Sequence, residues 1–375
     1  MFDRRLWPYI DWVLIALVAV ICVFGFATVY SASVSYANGN SFFPRQLLWF
    51  LAGLAVLAFT TAFDYKILGQ VSLWLHLLVI GLLVLTLLYG TGGPGSKVER
   101  WLKLGPFFLQ PSEFAKYTLV LYLAHYFRES RRVGEIGVKE LAWPLLVTVI
   151  PFVLILKQPD LGTAGVVLVV FVPVIFLVGL RFRVIAVIMG LAAAFAPFIW
   201  AYGLKPYQKH RILTMIDPDA DPLGKGYHII QSKIAVGSGG IWGKGFLEGT
   251  QAHLNFLPAR HTDFAFSVFA EEWGFVGTST LVILYIFLTL WCLKDIGKTK
   301  DRSGTILVLG VTSSLAAQIL INLGMVIGLL PVVGMPLPFV SYGGSAMISH
   351  MIGIGLIVNV RMRQADGAAT NPSFS

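Results

Sequence analysis

Leu161-Gly-Thr-Ala-Gly-Val-Val-Leu-Val-Val-Phe-Val-Pro-Val-Ile-Phe-Leu-Val-Gly-Leu180 runs for twenty residues without one charged side chain. A helix rises about 1.5 Å per residue, so such a run covers the roughly 30 Å of bilayer hydrocarbon with its backbone polar groups bonded inside the segment. Similar apolar windows centre on 12–31, 46–63, 71–90, 112–127, 141–156, 184–203, 264–293, 304–330 and 345–360. Together they predict an all-α integral membrane protein with ten transmembrane helices. The fourth and fifth are short for a span, which points to tilt or to a neighbouring loop entering the layer. Residues 1–30 imitate a secretion signal, but the apolar stretch is too long for one and nine spans follow, so it reads as a retained first helix.

Composition agrees with this. Of 375 residues, 57% are hydrophobic and only 13% charged, against roughly 25% charged in soluble domains. Ten spans place both termini on one side, and the excess of Lys and Arg decides which. Arg4, Arg5, Arg128, Arg131, Arg132, Arg181, Arg183, Lys294, Lys298, Lys300, Arg302, Arg361 and Arg363 mark the cytoplasmic face. Loops 91–111, 204–263 and 331–344 then lie outside, the long periplasmic one joining helices 7 and 8.

The net charge of +9 is therefore largely a topology signal, and no nucleic acid is needed to explain it. Topology leaves a second basic set unexplained on the outer side: Arg100, Lys103, Lys205, Lys209, Arg211, Lys225, Lys233, Lys244 and Arg260. An anionic ligand accounts for it. Cys22 and Cys292 fall inside apolar spans and read as small core residues. No internal repeat is evident, residues 364–375 read as a disordered tail, and the chain reads as one membrane domain spanning 1–375.

Polar residues inside or beside the spans are the candidate site. Leu257-Pro-Ala-Arg-His-Thr-Asp-Phe264 ends the long loop, and the helix after it carries Glu271 and Glu272. Carboxylates at that depth are costly unless they do chemistry or find partners. Asp263 is the leading candidate for chemistry; an Asp before an apolar run is also an ordinary helix cap. Gln110-Pro-Ser-Glu-Phe-Ala-Lys116 opens a helix with Pro111 in its first turn and sets Glu113 and Lys116 three apart on one face. They form either a packing ion pair or part of a cavity wall. Arg100-Trp101 suits a membrane-interface anchor as well as a ligand. Lys157-Gln-Pro-Asp-Leu-Gly-Thr163 is a polar break between spans, either a plain turn or a piece of the same cavity.

Several familiar motifs fail. Gly237-Ser-Gly-Gly-Ile-Trp-Gly-Lys-Gly245 has Ser238 and Gly245 where a phosphate-binding loop needs Gly and Ser or Thr. Asp217, Asp219 and Asp221 copy the start of a calcium loop, but Pro222 and His228 replace its Gly and Glu. His253 and His261 lack the spacing of a zinc site. The glycines are left to let backbone approach a ligand or pack in a re-entrant turn. Pro336-Leu-Pro-Phe-Val-Ser-Tyr-Gly-Gly-Ser345 reads as a turn that ends the ninth helix, with Ser345 capping the tenth.

In order along the chain, Arg100-Trp-Leu, 110–116, 157–163, Gly224-Lys-Gly-Tyr, Gln231-Ser, Gly237-Ser-Gly-Gly, 257–264 and 336–345 resemble the SEDS proteins (shape, elongation, division and sporulation). Segment 237–245, the following Gly249-Thr-Gln and the short start look like the elongation branch. Arg260 departs from the family pattern, which puts a catalytic role for that position aside. The resemblance implies a multi-pass enzyme of the bacterial inner membrane, its active site facing the periplasm, that polymerises lipid II into β-1,4 glycan strands. It implies a class B penicillin-binding protein and other elongation-complex membrane proteins as partners. It further implies an essential Asp263 and a cavity lined by Glu113 and Lys116, and extends the candidate set to Arg100, Trp101, Lys157, Asp160, Lys209, Arg211, Gln231 and Ser341.

The chemistry suits those residue types. A diphosphate is a good leaving group and asks for cations, so the second carboxylic acid of a glycosidase is unnecessary; the acceptor hydroxyl asks for one base, assigned to Asp263, with inversion at the donor carbon. Arg211 and Lys209 are the candidates for the diphosphate, with or without a divalent cation, Mg or Mn. No organic cofactor is expected. A lipid II flippase, or a scaffold for the penicillin-binding protein, are the competing readings; the outer-side concentration of polar residues favours the polymerase.

Overall fold

The computed structural model describes residues 4–34, 42–92, 99–105, 107–128, 138–179, 197–203, 206–221, 224–254, 256–294, 296 and 301–370, with 183, 186, 190 and 194–195. The helices are α1 (Trp12–Val34), α2 (Phe42–Ala62), the short α3 (Tyr65–Gln70), α4 (Ser72–Tyr89), α5 (Pro111–Tyr126), α6 (Val138–Lys157) and α7 (Leu161–Val178). After them come α8 (Pro206–Ile216), α9 (Lys225–Ser238), α10 (Thr250–His253), α11 (Ala265–Leu293), α12 (Arg302–Val326) and α13 (Gly344–Thr370). Among the described residues, eight helices are long and apolar enough to cross a membrane. The fourth expected span, α5, is shorter at 16 residues, as its apolar window foretold. The seventh expected span, 184–203, falls partly outside the described residues. The protein is an integral membrane protein.

Three expectations need correction. Segment 91–111, expected to be a loop, holds among its described residues a small antiparallel sheet, β1 (Thr91–Gly92), β2 (Glu99–Leu104) and β3 (Phe107–Leu109). Its register pairs Leu102 with Leu109 and Leu104 with Phe107, and the chain turns at Gly105, whose φ of 62° suits glycine. Among its described residues, the long segment 204–263 carries three α-helices, α8, α9 and α10, and a 3-10 turn at Pro218–Ala220. The last helix continues to Thr370, through the first part of the stretch expected to be disordered.

Packing follows the apolar faces. α13 lies along α2, α12 is clasped between α5 and α7, α4 lies on α5, and α1 on α11. α13 is almost wholly buried, which explains why its mean hydropathy is the lowest of the eight: it faces protein and keeps polar residues such as Ser349, His350 and Asn359 inside the bundle. At the end opposite the sheet, Asp11 accepts from Trp291 Nε1 at 3.0 Å and pairs with Arg361, and Tyr65 bonds Asp301. These bonds tie α1, α3, α11, α12 and α13 together at that end.

The glycine-rich segment 237–245 has a structural task. α11 breaks at Gly274, which sits at φ 62° and ψ −162°. A break strands backbone groups on both sides of it. The returning chain satisfies them: Lys244 and Gly245 N–H donate to the carbonyls of Glu271 and Glu272, and Phe275 and Val276 N–H donate to Gly240 and Ile241. Close approach of the two backbones leaves no room for a Cβ at Gly243 or Gly274. The buried carboxylates find partners in the same place. Glu271 accepts from Lys244 Nζ at 2.6 Å and from the N–H groups of Thr250 and Gln251, and Glu272 accepts from Ser31 of α1. Both are construction residues, and the glycines pack against a helix kink.

Candidate functional site

The turn 260–263 is placed by three anchors. Arg260, fully buried, donates from Nε to the carbonyl of Ala32 near the end of α1 at 2.9 Å. Tyr342 N–H donates to the His261 carbonyl at 2.8 Å. Asn322 Nδ2 of α12 bridges the carbonyls of Asp263, at 3.0 Å, and Met335, at 2.7 Å. The cap position of α11 is Phe264, and no side chain caps it. Asp263 is therefore not a helix cap; it lines a cavity.

That space is a set of joined chambers. The central one, about 380 Å³, is walled by Arg100, Trp101, Glu113, Thr163, Asp263 and Tyr342. A second, of about 200 Å³, shares Asp263, Ala259 and Gly334 with it and adds Arg211, Thr214 and His228. A third, also about 200 Å³, shares Trp101, His261, Thr262 and Tyr342 with the central one and adds Arg45, Trp49, Phe107 and Phe108. Asp263 stands in the wall between the first two. Burial pushes its carboxyl up to about 6, against the lowering pull of Arg100, a hydrogen bond from Thr262, and Arg211. A carboxylate poised there is suited to taking a proton near neutral pH.

Arg100 is delivered by the small sheet. Its guanidinium donates to the carbonyls of Gln158, at 3.1 Å, and Pro159, and lies 3.6 Å from Asp160. Asp160 also caps α7 through Thr163 N–H and accepts from Gln110. The polar break 157–163 thus holds Arg100 in place at the cavity. Gly334 sits between this cation and the base: a Cβ built on it would lie 3.3 Å from Asp263 Oδ2 and 3.9 Å from Arg100 Nη1.

Glu113 and Lys116 are both buried and bonded at 2.6 Å, with Ser349 donating to the same Glu113 oxygen at 3.3 Å. Glu113 reaches the central chamber; Lys116 backs it from the core. Both alternatives left open by the sequence are realised at once.

Four of the candidate residues stand elsewhere. Lys157 ends α6 with an exposed side chain, and Lys209 turns its ammonium to the Ala201 carbonyl at 2.9 Å. Neither lines the chambers, because a basic residue beside a span has the solvated surface as its cheapest place. Ser341 accepts from Leu337 N–H at 2.9 Å and stabilises the 337–341 turn. Gln231 lies on the partly covered face of α9, off the chamber walls. Ser345, expected to cap the last helix, instead accepts from Gln110 N–H and donates to the Phe108 carbonyl. The sequence reading passed over Asn322, Gly334, Arg45 and Thr214. Asn322 had a signal, an amide inside a long apolar window; Arg45 on α2, Thr214 buried on α8 and Gly334 in a turn have no local pattern that marks them until the fold brings them together.

The cavity lies at one end of a polytopic bundle, and Asp263 lines two of its chambers, with Arg100 on the wall of one and Arg211 on the wall of the other. The FtsW/RodA/SpoVE family model, described as a cell cycle protein, matches residues 11–366. Peptidoglycan glycosyltransferase MrdB of Escherichia coli K12 is 41% identical over 335 residues, 88% of this chain and 90% of the relative. Peptidoglycan glycosyltransferase RodA of Treponema pallidum is 32% identical over 428 residues, covering 94% and 98%. The crystal structure of Thermus thermophilus rod shape determining protein RodA superposes with a TM-score of 0.70 at 31% identity, covering 95% of this chain and 97% of that one. A chain from a study of how a peptidoglycan synthase complex coordinates polymerization and crosslinking reaches 0.79 at 35% identity, covering 95% and 98%. The chain belongs to the FtsW/RodA/SpoVE family, as the motif resemblance implied.

Two outcomes follow from the geometry. Removing one partner of the Glu113–Lys116 pair leaves a buried charge alone, at a cost of roughly 3–5 kcal/mol. Thermal unfolding in detergent should therefore rank the double variant Glu113→Gln/Lys116→Met above either single change, whereas additive losses would mean the two side chains do not support each other. Gly334→Ala introduces a methyl group against Asp263 and a residue with a Cβ at φ 74°. The variant should stay folded and membrane-inserted yet lose most of its activity, and full activity would show that the gap between Arg100 and Asp263 is not used.

Proposed function

We propose that this chain is a peptidoglycan glycosyltransferase that polymerises lipid II into β-1,4 glycan strands for cell-wall elongation, with Asp263 as general base. The observation that carries the mechanism is the carboxylate standing between two chambers, with Arg211 in one and Arg100 in the other. A transferase must bring an acceptor hydroxyl and a donor carbon together at one base, and it must stabilise the departing diphosphate. Asp263 takes the proton of the acceptor hydroxyl as its oxygen forms a bond to the donor's anomeric carbon. The bond from that carbon to the phosphate oxygen breaks, and the electron pair leaves with the diphosphate. Attack from the face opposite the leaving group converts an α-linked donor into a β-linked product. Arg211 and Arg100, which line the chambers on either side of Asp263, are assigned to the diphosphate; Lys209, which faces Ala201, is not part of this assignment.

A divalent cation, Mg²⁺ or Mn²⁺, enters the proposal only as a companion of the substrate's diphosphate. Glu113 is already engaged by Lys116, and Asp160 by Arg100 and Thr163, and no three metal-binding side chains converge among the described residues. Every step is therefore assigned to the protein's own side chains, and the cation is left to the substrate's diphosphate.

The proposal includes ten spans with both termini in the cytoplasm, in the bacterial inner membrane. Arg302, Arg361 and Arg363 lie at the end of the bundle opposite the chambers, and the positive-inside rule then places the chambers at the periplasmic face. A class B penicillin-binding protein that crosslinks the product is the proposed partner. A flippase needs a polar route through both leaflets, whereas the three chambers all gather around Asp263 at one end.

Purified protein, with or without its partner, should make gel-resolved polymer from lipid II with contaminating polymerases blocked by moenomycin. Because the base works as the carboxylate, the rate should fall about tenfold per pH unit below about 6. A rate flat across that window would remove Asp263 as the titrating base. For topology, cysteine in place of the exposed Asp219, with Cys22 and Cys292 removed, should react with an impermeant maleimide on intact spheroplasts. Labelling only after lysis would invert the arrangement.

A further inference from the structure

Resting on the polymerase reading, we infer that the aromatic chamber bounded by Trp49, Trp101, Phe107, His261 and Tyr342 is a saccharide platform that seats the acceptor sugar beside Asp263. Two substrates must reach one carboxylate, and the chambers around it differ in chemistry. The chamber with Arg211 is suited to the charged diphosphate of the donor. The chamber across Thr262 is mostly aromatic, with Arg45 among its lining residues.

A pyranose ring presents a face of C–H groups and a rim of hydroxyls. Aromatic faces cover the first, and a few fixed polar groups bond the second, which is the composition of a specific small-ligand pocket. The walls here have both. The Trp49 and Phe107 rings meet at 5.3 Å and 71°, edge to face. The His261 ring lies 4.4 Å from Phe42 and 5.8 Å from Tyr342. Burial and the neighbouring Arg260 guanidinium push His261 down to about 4, so at neutral pH it offers an uncharged imidazole. A neutral imidazole suits hydroxyl and amide groups better than phosphate. The Tyr342 hydroxyl lies in hydrogen-bonding reach of Arg45 and Trp49.

The platform is held rigidly and is continuous with the base. Gln46 of α2 donates to the Ser341 carbonyl and accepts from Gly343 N–H, both at 3.3 Å, which fixes the loop bearing Tyr342. Trp49 packs on Gly344, where a Cβ would collide with the indole. His261, Thr262 and Asp263 are consecutive, so a sugar lying on the His261 side of the turn directs its rim toward the carboxylate two residues on. Chambers of about 200 and 380 Å³ sharing Trp101 and Tyr342 fall, joined, within the roughly 300–1,000 Å³ of ligand pockets.

The test is saturation-transfer NMR on the full-length wild-type protein in detergent with di-N-acetylchitobiose as the probe. The disaccharide should receive saturation, and Trp49→Leu and Tyr342→Phe should each weaken its binding by about three- to tenfold. Arg211→Met, on the other chamber, should leave it unchanged. Tyr342→Phe keeps the ring, and thermal unfolding of each variant checks that the fold is intact. Absence of transfer at millimolar disaccharide, or wild-type binding retained by both aromatic variants, overturns the inference. So does loss of undecaprenyl phosphate retention with disaccharide binding intact in Trp49→Leu, which would make the chamber a groove for the lipid tail. None of these outcomes touches the polymerase reading, which fails separately if wild-type protein makes no polymer from lipid II.

Discussion

Keeping a carboxylate ionisable inside a protein wall at the edge of a membrane is the constraint around which this structure is arranged. Burial alone would neutralise Asp263, and two guanidinium groups alone would drain its basicity; the balance leaves it at about 6. That balance depends on distance, and distance depends on parts far apart in sequence. Asn322 on α12 fixes the Asp263 carbonyl, and Arg260 fixes the turn to α1. Arg100 is fixed by the carbonyls ahead of α7 and by Asp160. Gly334 keeps the space between cation and base clear.

The remaining buried charges follow the same accounting of partners. Glu271 is surrounded by donors from Lys244, Thr250 and Gln251; Glu113 has Lys116 and Ser349. Each is coordinated by groups from separate elements, and each fixes where those elements meet. Polar residues in the bundle thus divide between those that hold the cavity's shape and the few that face its interior.

Eight of the expected spans were legible because apolar length is written directly in the chain, and Asp263 stood out as a candidate because a carboxylate beside a span is expensive. Which face of each motif meets the cavity was not. Lys157 and Lys209 carry the charge that a diphosphate needs, yet Lys157 ends α6 with an exposed side chain and Lys209 on α8 turns its ammonium to the Ala201 carbonyl. Segment 237–245 illustrates the limit best: its glycines announce a close backbone approach, but whether to a ligand or to a broken helix depends on Gly274, some thirty residues away. The β2–β3 hairpin escaped because an apolar-polar window of six and three residues is too short to assert a period. Asp263 as a cap was ruled out only by seeing Phe264 in that position.

The central claim is that Asp263 moves a proton, and isosteric replacement tests it most directly. Asp263→Asn keeps the side chain's shape and removes its basicity; loss of a general base lowers rate by about 10²–10⁴. Purified Asp263→Asn protein, assayed with its partner on lipid II by gel, should bind substrate, keep the wild-type unfolding temperature to within a few degrees and form no detectable polymer. Polymer of near-normal yield and length from that variant would contradict the account and reduce Asp263 to a residue of the cavity wall.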